Sequence, residues 1–227
     1  MNLFVAGCSF SYGPNQFEAD YIWPNLCKQN FDKVTNTSLC GSNNLRSLRN
    51  FLDYVDKNNF CKDTVYVLQL TDKLRGSFYN EKFKEWGNFI KENYFLEPDS
   101  DLLKDENFFD NQRIGNNFKK YVLPYNLIFR NEEYCEYETM NIINTFISVC
   151  EKHDLKYLIT AMSSLCFPSE NNLTKFIKSS DNIIEAISRI ARDNTLNDAD
   201  VGGHPNADGH RLFYRYIMSE IEKRWQI

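Results

Sequence analysis

Glycine and proline are scarce in this chain, at 9 and 6 of 227 residues, which excludes collagen-like repeats and the Pro- and Gly-rich composition of disordered tracts. Positive charge is not in excess either: 26 Lys and Arg stand against 31 Asp and Glu, a net charge of −5. Affinity for a phosphate backbone comes mostly from basic side chains displacing counterions, so nucleic acid is not an expected partner. No apolar run approaches the about 20 residues of a transmembrane helix, so no membrane is expected as a partner. The apolar stretch at 3–6 falls far short of the about 7–15 residues of a signal-peptide core. The segment Val5-Ala6-Gly7-Cys8 is similar to a lipoprotein attachment box, yet no basic segment and almost no hydrophobic stretch precede it. A cytoplasmic location is the expectation. Cysteines occur seven times, at 8, 27, 40, 61, 135, 150 and 166, with no Cys-x-x-Cys pair. An odd, scattered set fits a reducing compartment and mostly buried free thiols.

What is present is enough for one ordinary domain, and residues 1–227 are read as a single one. With 42% hydrophobic residues, a chain this long buries roughly 70% of its extended surface and needs no disulfide or metal staple. Asn2–Ala6 is a short apolar run ending at Gly7, and a β-like stretch at 33–39 ends before Gly41. Between them, 17–31 carries apolar residues at loose helical spacing. Leu45, Leu48, Leu52 and Val55 recur at steps of three and four, predicting a helix that starts near Asn43 or Asn44. Thr64–Leu70 (TVYVLQL) is nearly continuous and β-branched, as in a strand buried on both faces. Met140, Ile143, Ile147 and Cys150 mark another helix, and Lys156–Ala161 another buried strand. Residues 171–193 read as one or two helices, and from Asp208 onward Leu212, Phe213, Tyr216, Ile217 and Ile221 form the stripe of a terminal helix. Such alternation predicts an α/β fold: a three-layer α/β/α sandwich around a mostly parallel, flavodoxin-like sheet, with ligands beyond the carboxyl ends of its strands.

Two segments carry the residue types of acyl-transfer chemistry. Gly7-Cys8-Ser9-Phe10-Ser11-Tyr12-Gly13 follows the first strand directly, so the Ser9 hydroxyl can point outward where backbone N–H groups face the same space. It is equally readable as a plain Gly/Ser turn. A phosphate loop does not fit, because five residues separate the glycines and Pro14-Asn15 stands where Lys-Ser/Thr is required. Cys8 reads as a buried small residue. The second segment, 198–210, holds two of the three histidines just before the last helix. Asp200 or Asp198 upstream of His204 can hold its imidazole in the tautomer a general base needs. His210, inside the helix, reads as structural, and His153 as a solvated residue near a helix end. A metal site built on His204, His210 and an Asp lacks any usual ligand spacing, and no metal or cofactor is required. Gly41-Ser42-Asn43-Asn44 and Gln69-Leu70-Thr71-Asp72 end the next two strands on the same edge. Asn43 and Thr71 are potential hydrogen-bond donors, and the Gly41 amide can approach a ligand closely; Asn43 or Asn44 is also a good helix N-cap.

In this order the segments resemble the SGNH (GDSL-type) hydrolase superfamily, over most of the chain outside 76–133. The family's Gly-Asp-Ser block matches Gly7-Cys8-Ser9, its block II glycine matches Gly41, block III (Gly-x-Asn-Asp) falls on Gln69-Leu70-Thr71-Asp72, and block V (Asp-x-x-His) falls on the segment ending at His204. Cys8 replaces the usual Asp, Thr71 the block III Asn, and Val201 the acid three before the histidine. The variants Gly-Cys-Ser-Phe-Ser and Gly-x-Ser-Asn look like those of SGNH-like proteins of phage and bacterial genomes. The resemblance implies a serine esterase with nucleophile Ser9, base His204 and acid Asp200 or Asp198. It also implies an oxyanion hole of Gly41, Asn43 and Thr71, and a small-molecule or carbohydrate ester as substrate. The alternative it leaves open is an SGNH-like module without turnover, a glycan-binding or structural phage protein. A nucleotide-binding doubly wound domain is the third reading, and it lacks a phosphate loop.

Residues 76–133 mix charge, Asn and aromatics without sustained periodicity and are too long for a plain connection, so they are read as an insertion. This span holds 13 of the 34 aromatic rings, against 21 in the other 169 residues. The rings are expected to pack the insertion against the mouth of the site, where flat surfaces suit sugar rings, or else to form a satellite core. If they serve the site, truncating Trp86 or Tyr94 to Ala raises KM for the ester more than it lowers the melting midpoint, and measuring both on the two variants checks this.

Overall fold

Every second residue of a strand points to the same face, so a strand apolar at each position must be covered twice. That requirement organises the computed structural model, which describes residues 1–12, 20–39, 41–80, 85–89, 132–161, 166, 168 and 205–226. Four parallel strands form the main sheet: β1 (Asn2–Ala6), β2 (Lys33–Asn36), β3 (Thr64–Leu70) and β6 (Lys156–Ala161), in the order β2-β1-β3-β6. Phe4, Ala6, Tyr66, Leu68, Leu70 and Ile159 face α3 (Asn44–Lys57) and α4 (Glu132–Lys152), meeting Leu48, Phe51, Val55, Ile143 and Phe146. Leu3, Val5, Val65, Val67 and Leu158 face the other way, onto Trp23 and Cys27 and onto Phe213, Ile217 and Ile221 of α5 (Ala207–Trp225). Helices thus cover both faces of the parallel sheet, the three-layer α/β/α arrangement expected from the alternation of elements.

Rings concentrate on the α3/α4 face. Phe51 packs on Phe146 at 4.5 Å and edge-on against Tyr66 at 5.6 Å, and Phe4 lies 4.4 Å from Tyr54. Offset and edge-on contacts of this kind add to the area each ring buries. Asn43 caps α3, its side-chain oxygen accepting from the Arg46 amide at 2.9 Å, and Asn206 caps α5 through the Gly209 amide at 2.9 Å. At the opposite edge of the sheet, Asn59 and Phe60 take left-handed backbone conformations (φ 49° and 51°), and the Phe60 ring stacks on His153 at 3.8 Å and 10°. His153 is therefore a stacked residue and not merely a solvated one.

Three local expectations are refined. The second strand is shorter than 33–39, although its continuation stays beside β1: the Thr37 and Leu39 amides donate to the Val5 and Gly7 carbonyls at 2.8 and 3.3 Å. The 17–31 region contains two single turns, α2 (Trp23–Leu26) and a 3-10 turn (Cys27–Gln29), with Pro24 in the first turn, where its missing N–H is harmless. Inside the 76–133 span lies an antiparallel hairpin, β4 (Gly76–Asn80) and β5 (Glu85–Phe89), pairing Phe78 with Gly87. Lys73 and Glu132 form an ion pair at 3.1 Å that draws the two ends of this span together. The helices expected at 171–193 and Tyr94 lie outside the described residues, and Trp86 is described only by its place in β5. Among the described residues no helix is long and apolar enough to cross a membrane.

The described cysteines are all free, and Cys8, Cys27, Cys135, Cys150 and Cys166 are buried, as the scattered spacing implied. Burial pushes the Cys27 thiol up from 9.0 to about 12, raises the Cys150 thiol as well, and pushes Tyr66 from 10.0 to about 12. In each case the native state holds its proton to higher pH than the unfolded chain does, so stability is full below the unfolded values and is lost as pH rises through the folded ones. The denaturant midpoint is therefore expected to fall steadily between about pH 9 and pH 12. Urea titrations across that range check it, and a Cys27→Ala, Cys150→Ala variant should show a shallower fall.

Candidate active site

The edge of the sheet where β2, β1 and β3 end is assembled by side chains, because the backbone ladder stops there. After β1 the Cys8 carbonyl accepts from the amides of both Ser11 and Tyr12 at 3.0 Å, closing a four-residue turn, α1 (Ser9–Tyr12), with Ser9 first. The register that pairs Ala6 with Leu68 sets Gly7 beside Gln69. A Cβ on Gly7 would lie 2.8 Å from Gln69 Oε1 and 2.9 Å from Gln69 Cβ, so only glycine lets the Gln69 side chain lie across this strand end. Three bonds then converge on Ser11. Its Oγ donates to Gln69 Oε1 at 2.6 Å and accepts from Trp23 Nε1 at 3.1 Å, and its carbonyl accepts from Asn36 Nδ2 at 2.7 Å. Ser9 is 3% exposed, and Cys8 is fully buried beneath it as a core residue.

The second segment is equally constrained. Gly41 has φ +70°, a conformation that favours glycine, and the turn closes with the Ser42 amide donating to the Leu39 carbonyl at 3.1 Å. The Asn43 side-chain oxygen is committed to the α3 cap, accepting from the Arg46 amide. Thr71 is fully buried, and its backbone is held on both sides by Asn44: Oδ1 accepts from the Thr71 amide at 2.8 Å and Nδ2 donates to the Thr71 carbonyl at 3.1 Å. Asp72 braces its own turn by accepting from the Leu74 amide at 2.8 Å, and Arg75 Nη1 reaches the Ser42 carbonyl at 3.4 Å. Ser9, Gly41, Asn43 and Thr71 thus stand at the carboxyl ends of three neighbouring strands, tied to one another through Asn36, Asn44 and Gln69.

His204, Asp200, Asp198 and Val201 lie outside the described residues, as does Gly13. The chain resumes at Pro205, which is buried, and enters α5 at Asn206. That helix is located against α2 by His210, fully buried as its helical position implied, whose Nδ1 accepts from the Trp23 amide at 3.4 Å while its ring lies 5.5 Å from that of Tyr21. Among the described residues no group of three His, Cys, Asp or Glu side chains is placed to hold a metal. Sequence reasoning singled out neither Asn44 as the link to Thr71 nor Trp23 and Ser11 as partners. The one available signal was the doubled Asn43-Asn44, of which a cap uses only one.

No protein-family model matches the sequence, and no curated protein matches it. Solved structures do share its fold. The psychrotrophic esterase EstA of a Pseudoalteromonas species, in a form inhibited by monoethylphosphonate, superposes with a TM-score of 0.56 at 10% identity, covering 100% of this chain and 99% of that one. A member of the lipolytic G-D-S-L family from Veillonella parvula gives 0.50 at 12% identity, with 99% of each chain covered. An acetyl xylan esterase gives 0.53 at 10% identity, covering 97% of this chain and all of that one.

The Asn44 bridge carries a direct consequence. Replacing Asn44 by Ala strands a buried N–H and a buried C=O of Thr71, which is expected to lower stability by about 2–4 kcal/mol. Asn44→Asp, which keeps the acceptor and loses the donor, falls between the two, and chemical denaturation of both variants measures the difference.

Proposed function

On the SGNH hydrolase fold that this chain adopts, we propose that it is a serine esterase, a single domain with an insertion at 76–133, and that its substrate is an O-acyl ester of a carbohydrate. The observation that carries this reading is the placement of Ser9 at the first position of the turn after β1, with the Gly41–Asn43 and Thr71 segments fixed at the adjacent strand ends. His204 takes the proton of Ser9 Oγ as that oxygen attacks the acyl carbon, and Asp200, or Asp198 in its place, orients the imidazole. The Gly41 and Ser9 amides, with Asn43 Nδ2 or the Thr71 hydroxyl, donate to the oxyanion. His204 returns the proton to the leaving alcohol, and a water molecule deacylates Ser9 by the same route in reverse, with no cofactor. Two proteins of this fold are an esterase inhibited by a phosphonate, the chemistry expected to trap a nucleophile, and an acetyl xylan esterase, which supports the carbohydrate ester. If the aromatic rings of the insertion line the mouth of the site, they would receive the sugar.

A second reading is favoured by the substitution of Thr71 for the family's Asn: a glycan-binding module that keeps the fold without turnover. A fluorophosphonate probe separates the two. The wild type is expected to be labelled once, Ser9→Ala not at all, and His204→Ala at a rate lower by about 10³-fold or more. A wild type that takes no label, or a Ser9→Ala variant labelled equally, overturns the esterase reading; sugar binding retained in His204→Ala would then support the module.

A further inference from the structure

The turn that carries Ser9 is four residues long, far below the length at which a helix holds itself in water. Its conformation is set from outside, by a buried chain of hydrogen bonds that crosses the fold: Gln69 to Ser11, Ser11 to Trp23, Trp23 to His210. Gln69, Ser11 and His210 are fully buried and Trp23 is 1% exposed. One end of the chain is Gln69 of β3, its next link, Ser11, lies in the Ser9 turn, and its other end lies in α5, six residues beyond His204.

Gln69 is not explained by stability. Its Nε2 is buried without a hydrogen-bond partner among the described residues. A half-satisfied buried amide is worth less to the folded state than an apolar side chain of the same shape. The neighbouring strand also carries glycine at the facing position, which gives up a side chain to make room for this one. What Gln69 supplies that a leucine or methionine would not is a directional acceptor for Ser11 Oγ, and with it the rotation of the turn about the β1 axis. Trp23 extends the constraint in both directions, its indole to Ser11 and its backbone amide to His210, whose Nδ1 must be unprotonated to accept.

We propose that Gln69 is a positioning residue for the Ser9 nucleophile, acting through Ser11, and that Trp23 and His210 hold the start of α5 in the same frame. This rests on the esterase reading, and its test has an arm that does not. The variants are Gln69→Met, Ser11→Ala and the two combined. The measurements are the rate of phosphonylation of Ser9 by a fluorophosphonate, the melting midpoint, and the amide and indole N–H resonances in a ¹⁵N spectrum. Displacing a reacting group by a fraction of an ångström to 1 Å costs up to about 10²-fold, so Gln69→Met is expected to lower the labelling rate by about 10- to 100-fold, while the melting midpoint falls by no more than the few degrees that an unpaired Ser11 hydroxyl costs. Ser11→Ala lowers the rate similarly, and the double variant falls no further than the slower single one, because one chain is broken twice. A Gln69→Met rate within about twofold of wild type, or effects that multiply in the double variant, overturns the proposal. Should Gln69→Met fail to fold, Ser11→Ala alone is judged by the same rate and midpoint criteria. If the wild type takes no label, the esterase reading fails and the resonances decide: the Ser9 amide and the Trp23 indole signals move together in Gln69→Met if Gln69 positions the turn, and an unmoved Ser9 amide overturns it.

Discussion

Three hydrogen bonds converge on Ser11, and the shape of the carboxyl edge follows from them. A four-residue turn has no internal cooperativity, so the direction in which β1 releases the chain is decided by Gln69, Trp23 and Asn36. Two come from the sheet, Gln69 from β3 and Asn36 from the edge strand β2, and the third, Trp23, from the helical turn packed on one face. The glycine at position 7 is the counterpart of that arrangement, because the Gln69 amide occupies the space its side chain would need. Moving any of the three partners would rotate the first residue of the turn.

The same device recurs wherever the ladder of backbone bonds runs out. Asn36 Nδ2 binds the Ser11 carbonyl, Asn50 Nδ2 binds the Thr37 carbonyl at 3.0 Å, and Asn44 closes a two-bonded bridge on Thr71. Parallel strands cannot be joined by tight hairpins, so their ends diverge into loops whose buried polar groups need partners. A primary amide, with one acceptor and one two-proton donor end, can bridge two loops at once. The sheet gains its rigidity from apolar packing, and its edge gains definition from these asparagines.

Much of the architecture could be read directly from residue order. Asn2–Ala6, Thr64–Leu70 and Lys156–Ala161 form strands over the spans their apolar runs indicated, since burial on both faces leaves no position for a polar interruption until the strand end. The α3 helix starts at Asn44 behind the Asn43 cap for an equally local reason. Contacts joining positions far apart in the chain were not legible: Ser11 to Gln69 spans 58 residues, Asn44 to Thr71 spans 27 and Trp23 to His210 spans 187. Periodicity reports which face a residue occupies, not which neighbour it meets across the sheet. The β4–β5 hairpin was missed for a related reason, since its pairing of Phe78 with Gly87 follows neither a clean period of two nor a standard two-residue turn. Ser9, Gly41, Asn43 and Thr71 could be named as candidates because strand ends are where such folds carry their chemistry, and the structure sets them at neighbouring strand ends; the candidate base and acid at 198–204 rest on sequence alone.

The capping of α3 has an electrostatic meaning as well as a structural one. Among the described residues the three long helices begin at the carboxyl edge, yet α4 opens with Glu132 and Glu133 and α5 with Asp208, carboxylates that offset the positive end of each helix dipole. The first turn of α3 contains no acid, its cap is a neutral amide, and Arg46 lies one turn in. A chain of net charge −5 therefore leaves one helix end uncompensated, behind the Gly41–Asn43 loop. Negative charge developing beside that loop meets a fixed field worth roughly 0.3–1 kcal/mol, already in place before any side chain moves.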